Sequence, residues 1–182
     1  MRLASSVVGC IALALALFGP VHEAAHRSLA AHMGQHMLLI GVAAPLLAAA
    51  LPGPRLPAAL AFGAHGAVFW LAHAPAVIAW MAARGAAHML VHATLFGSAL
   101  AFWAAIAGRG AGEASLWVLA TMIHTGVLGA FLTFAPRVLY AGHSLEDQQL
   151  AGLLMWVPGG FLYLAAGLAF AWRSFSGHAI RA

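Results

Sequence analysis

Apolar residues along this chain come in long unbroken runs, set apart by short polar punctuation, and none of the runs alternates with a period of two. The first is Leu3–Phe18, closed by Gly19-Pro20. The second is His32–Leu51, closed by Pro52-Gly53-Pro54, and the third is Leu56–Met81. The fourth, Ala86–Ala107, ends at Gly108-Arg109-Gly110, and the fifth, Ala114–Ala135, ends at Pro136. The sixth is Gln149–Trp172, with Pro158 inside it. A helix of about 20 apolar residues crosses a hydrocarbon core about 30 Å thick. In lipid the backbone must satisfy its own hydrogen bonds, so spans are helices or a closed barrel, and the missing alternation excludes a barrel. The pattern therefore predicts an all-α, polytopic transmembrane helical bundle of about six helices, forming one domain over residues 1–182. Short loops predict that sequence neighbours pack antiparallel, and Pro158 predicts a kink. The short first run follows a single Arg2. It reads as an uncleaved first helix in preference to a signal peptide cut near Ser28-Leu29-Ala30, which would leave five helices.

Composition agrees. Apolar residues make up 64% of the 182, charged residues 7%, and the mean hydropathy is +0.94; a soluble domain carries about a quarter charged residues. The net charge of +4 comes without lysine, and the arginines stand singly between apolar runs. That spacing argues against nucleic acid and for topology signals. With six spans, Arg2, Arg55, Arg109, Arg173 and Arg181 share one side, and Arg27, Arg84 and Arg137 the other. The richer side is expected to be cytoplasmic, placing both termini there in a multi-pass protein of the cell inner membrane. The single cysteine, Cys10, excludes an internal disulfide or a CxxC motif. Too few apolar residues precede Val7-Val8-Gly9-Cys10 for a lipoprotein signal.

Eleven histidines are the anomaly, because ionisable residues in membrane helices are costly and usually functional. On the predicted topology His22, His26, His32, His36, His73, His88, His92 and His143 fall toward the non-cytoplasmic side. His124 lies near mid-membrane, and His65 and His178 lie toward the cytoplasm. The pairs His22/His26, His32/His36 and His88/His92 are each four apart, which on a helix puts both rings on one face. Such pairs grip metal ions. Met33, Met37, Met81 and Met89 accompany them, and Met122 is close to His124; thioether with imidazole suits copper, Cu(I) above all. Plainer readings stand beside this one. A lone membrane histidine is commonly an interhelical hydrogen-bond partner, a methionine is commonly core filler, and His22 and His26, in a loop, are the most readily solvated. In the last loop Ser144 and Asp147 make a capping-box variant, while Asp147 also enters at the depth of the histidine pairs, as a ligand or as the orienting partner of a ligand ring.

Three stretches resemble the CtaG family of polytopic cytochrome c oxidase assembly proteins associated with caa-type oxidases. His32–Pro54, HMGQHMLLIGVAAPLLAAALPGP, is similar to its His-Met-x-Gln-His helix; His88–Trp103, HMLVHATLFGSALAFW, to its His-x-x-x-His helix; and Leu145–Gly160, LEDQQLAGLLMWVPGG, to its Asp-Gln-x-x-Ala-Gly-x-x-Met-Trp motif. The resemblance implies a membrane factor for assembling a heme–copper oxidase, at a copper-insertion step, and carries over His32, Gln35, His36, His88, His92, Asp147 and Gln148. Depth alone adds His73 and His124. The expected metal set is thus His32, His36, His88, His92, His73, His124 and Asp147, holding copper for a cytochrome c oxidase subunit. No nucleophile–base set or phosphate-binding loop is evident, so the expectation is a protein that is not an enzyme. A heme-binding electron carrier, a copper or proton transporter, and a structural subunit are the alternatives. Gly126–Gly129 points to close helix packing, within the chain or in a homo-oligomer.

Overall fold

A computed structural model describes residues 2–50 and 56–178, with the backbone alone for 174–178. The turn Pro52-Gly53-Pro54, Arg55, Arg181 and the His178 side chain lie outside the described residues. The helices are α1 (Arg2–Leu17), α2 (Pro20–Ala25), α3 (Leu29–Ala50), α4 (Ala58–Ala72), α5 (Pro75–Ala83), α6 (Gly85–Ala107), α7 (Ala111–Thr133) and α8 (Leu145–His178). Four of them, α3, α6, α7 and α8, are long and apolar enough to cross a membrane, and α4 with α5 forms a bent pair, a broken fifth span or a re-entrant loop. The chain is a multi-pass, all-α membrane protein. Its flanks expose large apolar side chains such as Leu116, Ile123, Phe131, Phe161 and Leu168, as a lipid-facing surface requires.

Two expected spans differ. Helix α1 has 16 residues, about 24 Å at 1.5 Å per residue, shorter than a hydrocarbon core. It packs against the second half of α3, where a Cβ on Gly9 would come within 2.9 Å of Leu47 Cγ. The third run is not one helix: α4 and α5 meet at 66°. Pro75 is the reason. It opens α5 and holds Ala74 at φ −66°, ψ 135°, because the residue before a proline is pushed out of the helical region. By contrast, α8 continues through Pro158.

Helices α7 and α8 form the most extensive pair. Gly129 and Gly152 make it possible: a Cβ on Gly152 would stand 2.5 Å from the Gly129 carbonyl oxygen, and one on Gly129 would stand 2.9 Å from that of Gly152. Helix α3 packs on α8 and α6, and α4 packs on α6.

Within α3, Leu38–Ala43 forms a π-helical turn in which the Ala44 N–H bonds the Leu39 carbonyl, five residues back. Pro45 follows and has no N–H to offer, so the Ile40 carbonyl loses its helical partner. The buried Trp103 of α6 supplies one, donating from Nε1 at 2.9 Å, while its ring stacks on Tyr163 at 8°. Trp103→Phe is expected to leave that carbonyl unpaired and cost about 1–3 kcal/mol, read as a lower midpoint of thermal unfolding in detergent.

Antiparallel packing gathers the α3, α6 and α8 N-termini with the α4 and α7 C-termini at one end of the bundle. Contacts across that end include Asp147 to Ser28 and Tyr140 to the His73 carbonyl. Arg109, at the opposite end, reaches the Leu56 carbonyl.

Candidate metal centre

Helix α3 starts at Ser28, whose Oγ caps it by accepting from the Ala31 N–H at 3.2 Å. One turn in, His32 and His36 occupy one face, ring centroids 4.4 Å apart. Helix α6 presents His88 and His92 the same way, stacked at 4.1 Å. The two pairs face each other: His32 lies 5.2 Å from His92 and 5.7 Å from His88, and His36 lies 4.8 Å from His92. The break between α4 and α5 turns His73 into the same group, 4.9 Å from His36. All five rings are buried.

Hydrogen bonds fix how these rings are oriented. A carbonyl only accepts, so His73 donates from Nδ1 to the Phe69 carbonyl (2.6 Å). In the neutral ring, Nε2 of His73 is then bare, and it accepts from His36 Nδ1 at 3.1 Å. That leaves His36 Nε2 with its lone pair free. Nε2 of His36, and likewise of His32 and His88, is buried with no hydrogen-bond partner. His92 donates from Nδ1 to the His88 carbonyl (2.8 Å), so in the neutral ring its own Nε2 is bare.

Buried Gln35 joins the histidines from both sides. Its Nε2 donates to the Ala16 carbonyl of α1 at 2.6 Å and to His22 Nδ1 at 3.3 Å, which leaves Oε1 3.1 Å from His92 Nε2. An amide oxygen facing a bare imidazole nitrogen is two acceptors in contact; a proton or a cation reconciles them.

Among the described residues, two triads have the reach to hold an ion, His32/His88/His92 and His22/His26/His88, with ligand atoms within 4.8 Å of one another in each. Three nitrogens at about 2.0 Å from an ion stand roughly 3.5 Å apart, so small side-chain rotations close either set. A cavity of about 100 Å3 lies against both, lined by His26, His32, His88, His143 and Met81.

The remaining expected residues sit elsewhere. His124, on α7, packs against Phe62 and Phe69 at 5.5 and 5.6 Å, with both ring nitrogens buried and unpartnered. It belongs to neither triad. His65 is nearby on α4, its Nδ1 3.0 Å from Ser98 Oγ. Asp147 stands at the α3 N-terminus. Its Oδ1 accepts from Ser28 Oγ (2.7 Å) and the Ala30 N–H (3.1 Å), and its Oδ2 from the Leu29 N–H (2.7 Å) and His143 Nδ1 (3.1 Å). Four donors fill its acceptor sites, so it orients His143 and caps α3. Ser144 caps α8 through the Asp147 N–H at 3.1 Å, as the capping-box spacing predicts.

Residues outside the expected set also shape the centre. His22 and His26 lie on and just after α2, a short helix that the positive-φ Gly19 (79°) and Pro20 turn back over the bundle. Their four-residue spacing was the signal. Gln148 folds the α7–α8 loop, accepting from the Leu139 N–H (2.6 Å) and donating to the Arg137 carbonyl (3.2 Å). Tyr140, in that loop, donates to the His73 carbonyl at 2.7 Å; burial pushes its phenol up to about 12, so it stays a donor.

Fold and site together define a multi-pass helical membrane protein with a buried polyhistidine centre at one end of its bundle. The chain belongs to the family of cytochrome c oxidase caa3 assembly factors (Caa3_CtaG), which it matches over residues 1–66 and 56–176. No curated protein and no solved structure matches it.

Proposed function

We propose that this assembly factor carries a copper ion, as cargo, near the periplasmic face of the inner membrane and hands it to a cytochrome c oxidase subunit. The observation that carries the reading is the set of buried Nε2 atoms on His32, His36 and His88 that meet no hydrogen-bond donor or acceptor. Buried polar atoms normally find a partner, and those of His32 and His88 belong to a triad with His92 whose ligand atoms lie within 4.8 Å of one another, with imidazole nitrogen of the kind a soft cation takes. The family's oxidase is a copper enzyme by the resemblance, and the buried Met81 stands at the cavity beside the rings. His32, His36, His88 and His92 form the ligand field, with His73 setting the His36 tautomer and Asp147 orienting His143 from outside it. A cavity of about 100 Å3 is well under the ~300 Å3 at which pockets for organic ligands begin, which favours an ion over a porphyrin. The arginine bias along the sequence, Arg2, Arg55, Arg109, Arg173 and Arg181 against Arg27, Arg84 and Arg137, supports cytoplasmic termini and a centre toward the periplasm.

The test is anaerobic Cu(I) titration of the protein in mild detergent, beside a variant with His32, His36, His88 and His92 all changed to alanine. One ion per chain is expected for the wild type and none for the variant at equal helicity, with loss of assembled oxidase in cells carrying the variant. Binding is expected to weaken on acidification, because each ligand must present an unprotonated nitrogen. A folded variant that binds Cu(I) as tightly as the wild type defeats the proposal.

A further inference from the structure

We infer that the centre is two stations in series, an outer His22/His26/His88 triad and an inner His32/His88/His92 triad, through which a single ion passes with His88 as the ligand common to both. The inference rests on the copper-carrier reading and adds a route to it.

The gradation of burial sets the order. His26 is exposed, His22 half-buried, and His88, His32 and His92 buried. His26 lies 4.8 Å and His22 5.3 Å from His88 by ring centroids, while His88 stacks on His92 at 4.1 Å. The cavity bordered by His26, His32 and His88 touches members of both triads, so an ion at its wall needs only small side-chain rotations to reach either. Gln35 contacts each triad through a different atom, His22 with Nε2 and His92 with Oε1, and holds the two at fixed spacing.

Sharing decides the stoichiometry. A neutral imidazole has one bare nitrogen, so His88 serves one ion at a time and both triads cannot be complete together. Transfer inward breaks the bonds from the ion to His22 and His26, forms those to His32 and His92, and keeps the bond to His88. The ion never leaves nitrogen coordination. His22 Nδ1 accepts from Gln35 Nε2, so His22 ligates through Nε2 only once its own proton has shifted to Nδ1; no electron moves with the ion. Transfer outward to a recipient is the reverse.

The experiment uses the full chain in detergent with Cu(I) as the probe and a chromophoric Cu(I) chelator as donor and acceptor. Three variants are compared by equilibrium stoichiometry and by stopped-flow rate: His22→Ala with His26→Ala, His92→Ala, and His88→Ala. The outer double variant is expected to keep one bound ion but to exchange it with the chelator about 10-fold more slowly or worse. His92→Ala is expected to keep an ion at the outer triad, three-coordinate in nitrogen by copper X-ray absorption and released to the chelator faster than wild type. His88→Ala is expected to lose both. An outer double variant that exchanges at the wild-type rate overturns the series while leaving the carrier reading intact, and two ions per wild-type chain overturn the sharing. A wild type that binds no Cu(I) overturns the carrier reading, and the series with it.

Discussion

Asp147→Ala is expected to unfasten the centre without touching a ring in either triad. The carboxylate accepts four hydrogen bonds, three of them from the first residues of α3. Those residues hold the N–H groups that a helix start leaves unpaired, and a carboxylate there also meets the positive end of the helix dipole. Its removal orphans the Leu29 and Ala30 N–H groups and releases His143. Hydrogen bonds to a charged group are worth about 1.5–3 kcal/mol each; partial exposure and water as a substitute partner reduce the sum to roughly 2–4 kcal/mol. The loosened segment is the one that carries His32 and His36, so Cu(I) affinity is expected to fall with the melting temperature. Asp147→Asn separates cap from ligand. The amide keeps one accepting oxygen and so part of the cap, and it should recover part of the stability and of the affinity together. Full stability with no Cu(I) binding would instead mean that Asp147 itself touches the ion.

The second large effect is expected at Gly152. A side chain there meets the backbone of α7, with the Gly129 oxygen at 2.5 Å and the Thr133 nitrogen at 2.6 Å from the first added carbon. Overpacking a core costs about 1–3 kcal/mol when neighbouring side chains can shift; backbone cannot shift without moving a helix. Gly152→Leu should therefore pry α8 from α7 and leave little protein in the membrane fraction. Gly126→Leu is the control on the same helix pair, since nothing lies within 4 Å of a Cβ at that position, and it should accumulate normally. Equal accumulation of both variants would show that the close approach of the two helices is dispensable.

The contrast between Gly126 and Gly129 marks the limit of what the sequence discloses. Both stand out as small residues in an apolar run, and only the partner helix decides which one is needed. The long spans are legible because a membrane imposes one length and one composition, and the histidine pairs are legible because a helix puts residues four apart on one face. The break at Ala74-Pro75 is hidden by its surroundings: hydropathy counts proline and alanine as more of the same run, while the backbone registers the missing N–H. Pro158 shows the converse, a proline that the helix absorbs. The bond from Asp147 to Ser28 joins residues 119 apart, and no local pattern announces it. His22 and His26 carried the right spacing, yet their place beside His88 depends on the turn at Gly19. His124 had the right depth in the bilayer, but depth does not say which side of a helix a ring occupies, and its neighbours are Phe62 and Phe69.

The 66° bend between α4 and α5 has a consequence for how deep the protein sits. The two helices cannot both stand along the bilayer normal, and α5, at nine residues, is too short to cross by itself. It carries the partly exposed Trp80 and ends at Arg84, an aromatic ring and a cation of the kinds that settle where acyl chains give way to headgroups. A segment of that composition favours the interface over both oil and water. His73 sits at its inner end and His88 one turn beyond its outer end. Wherever α5 settles, its two ends therefore keep His73 and His88 at a fixed height relative to it.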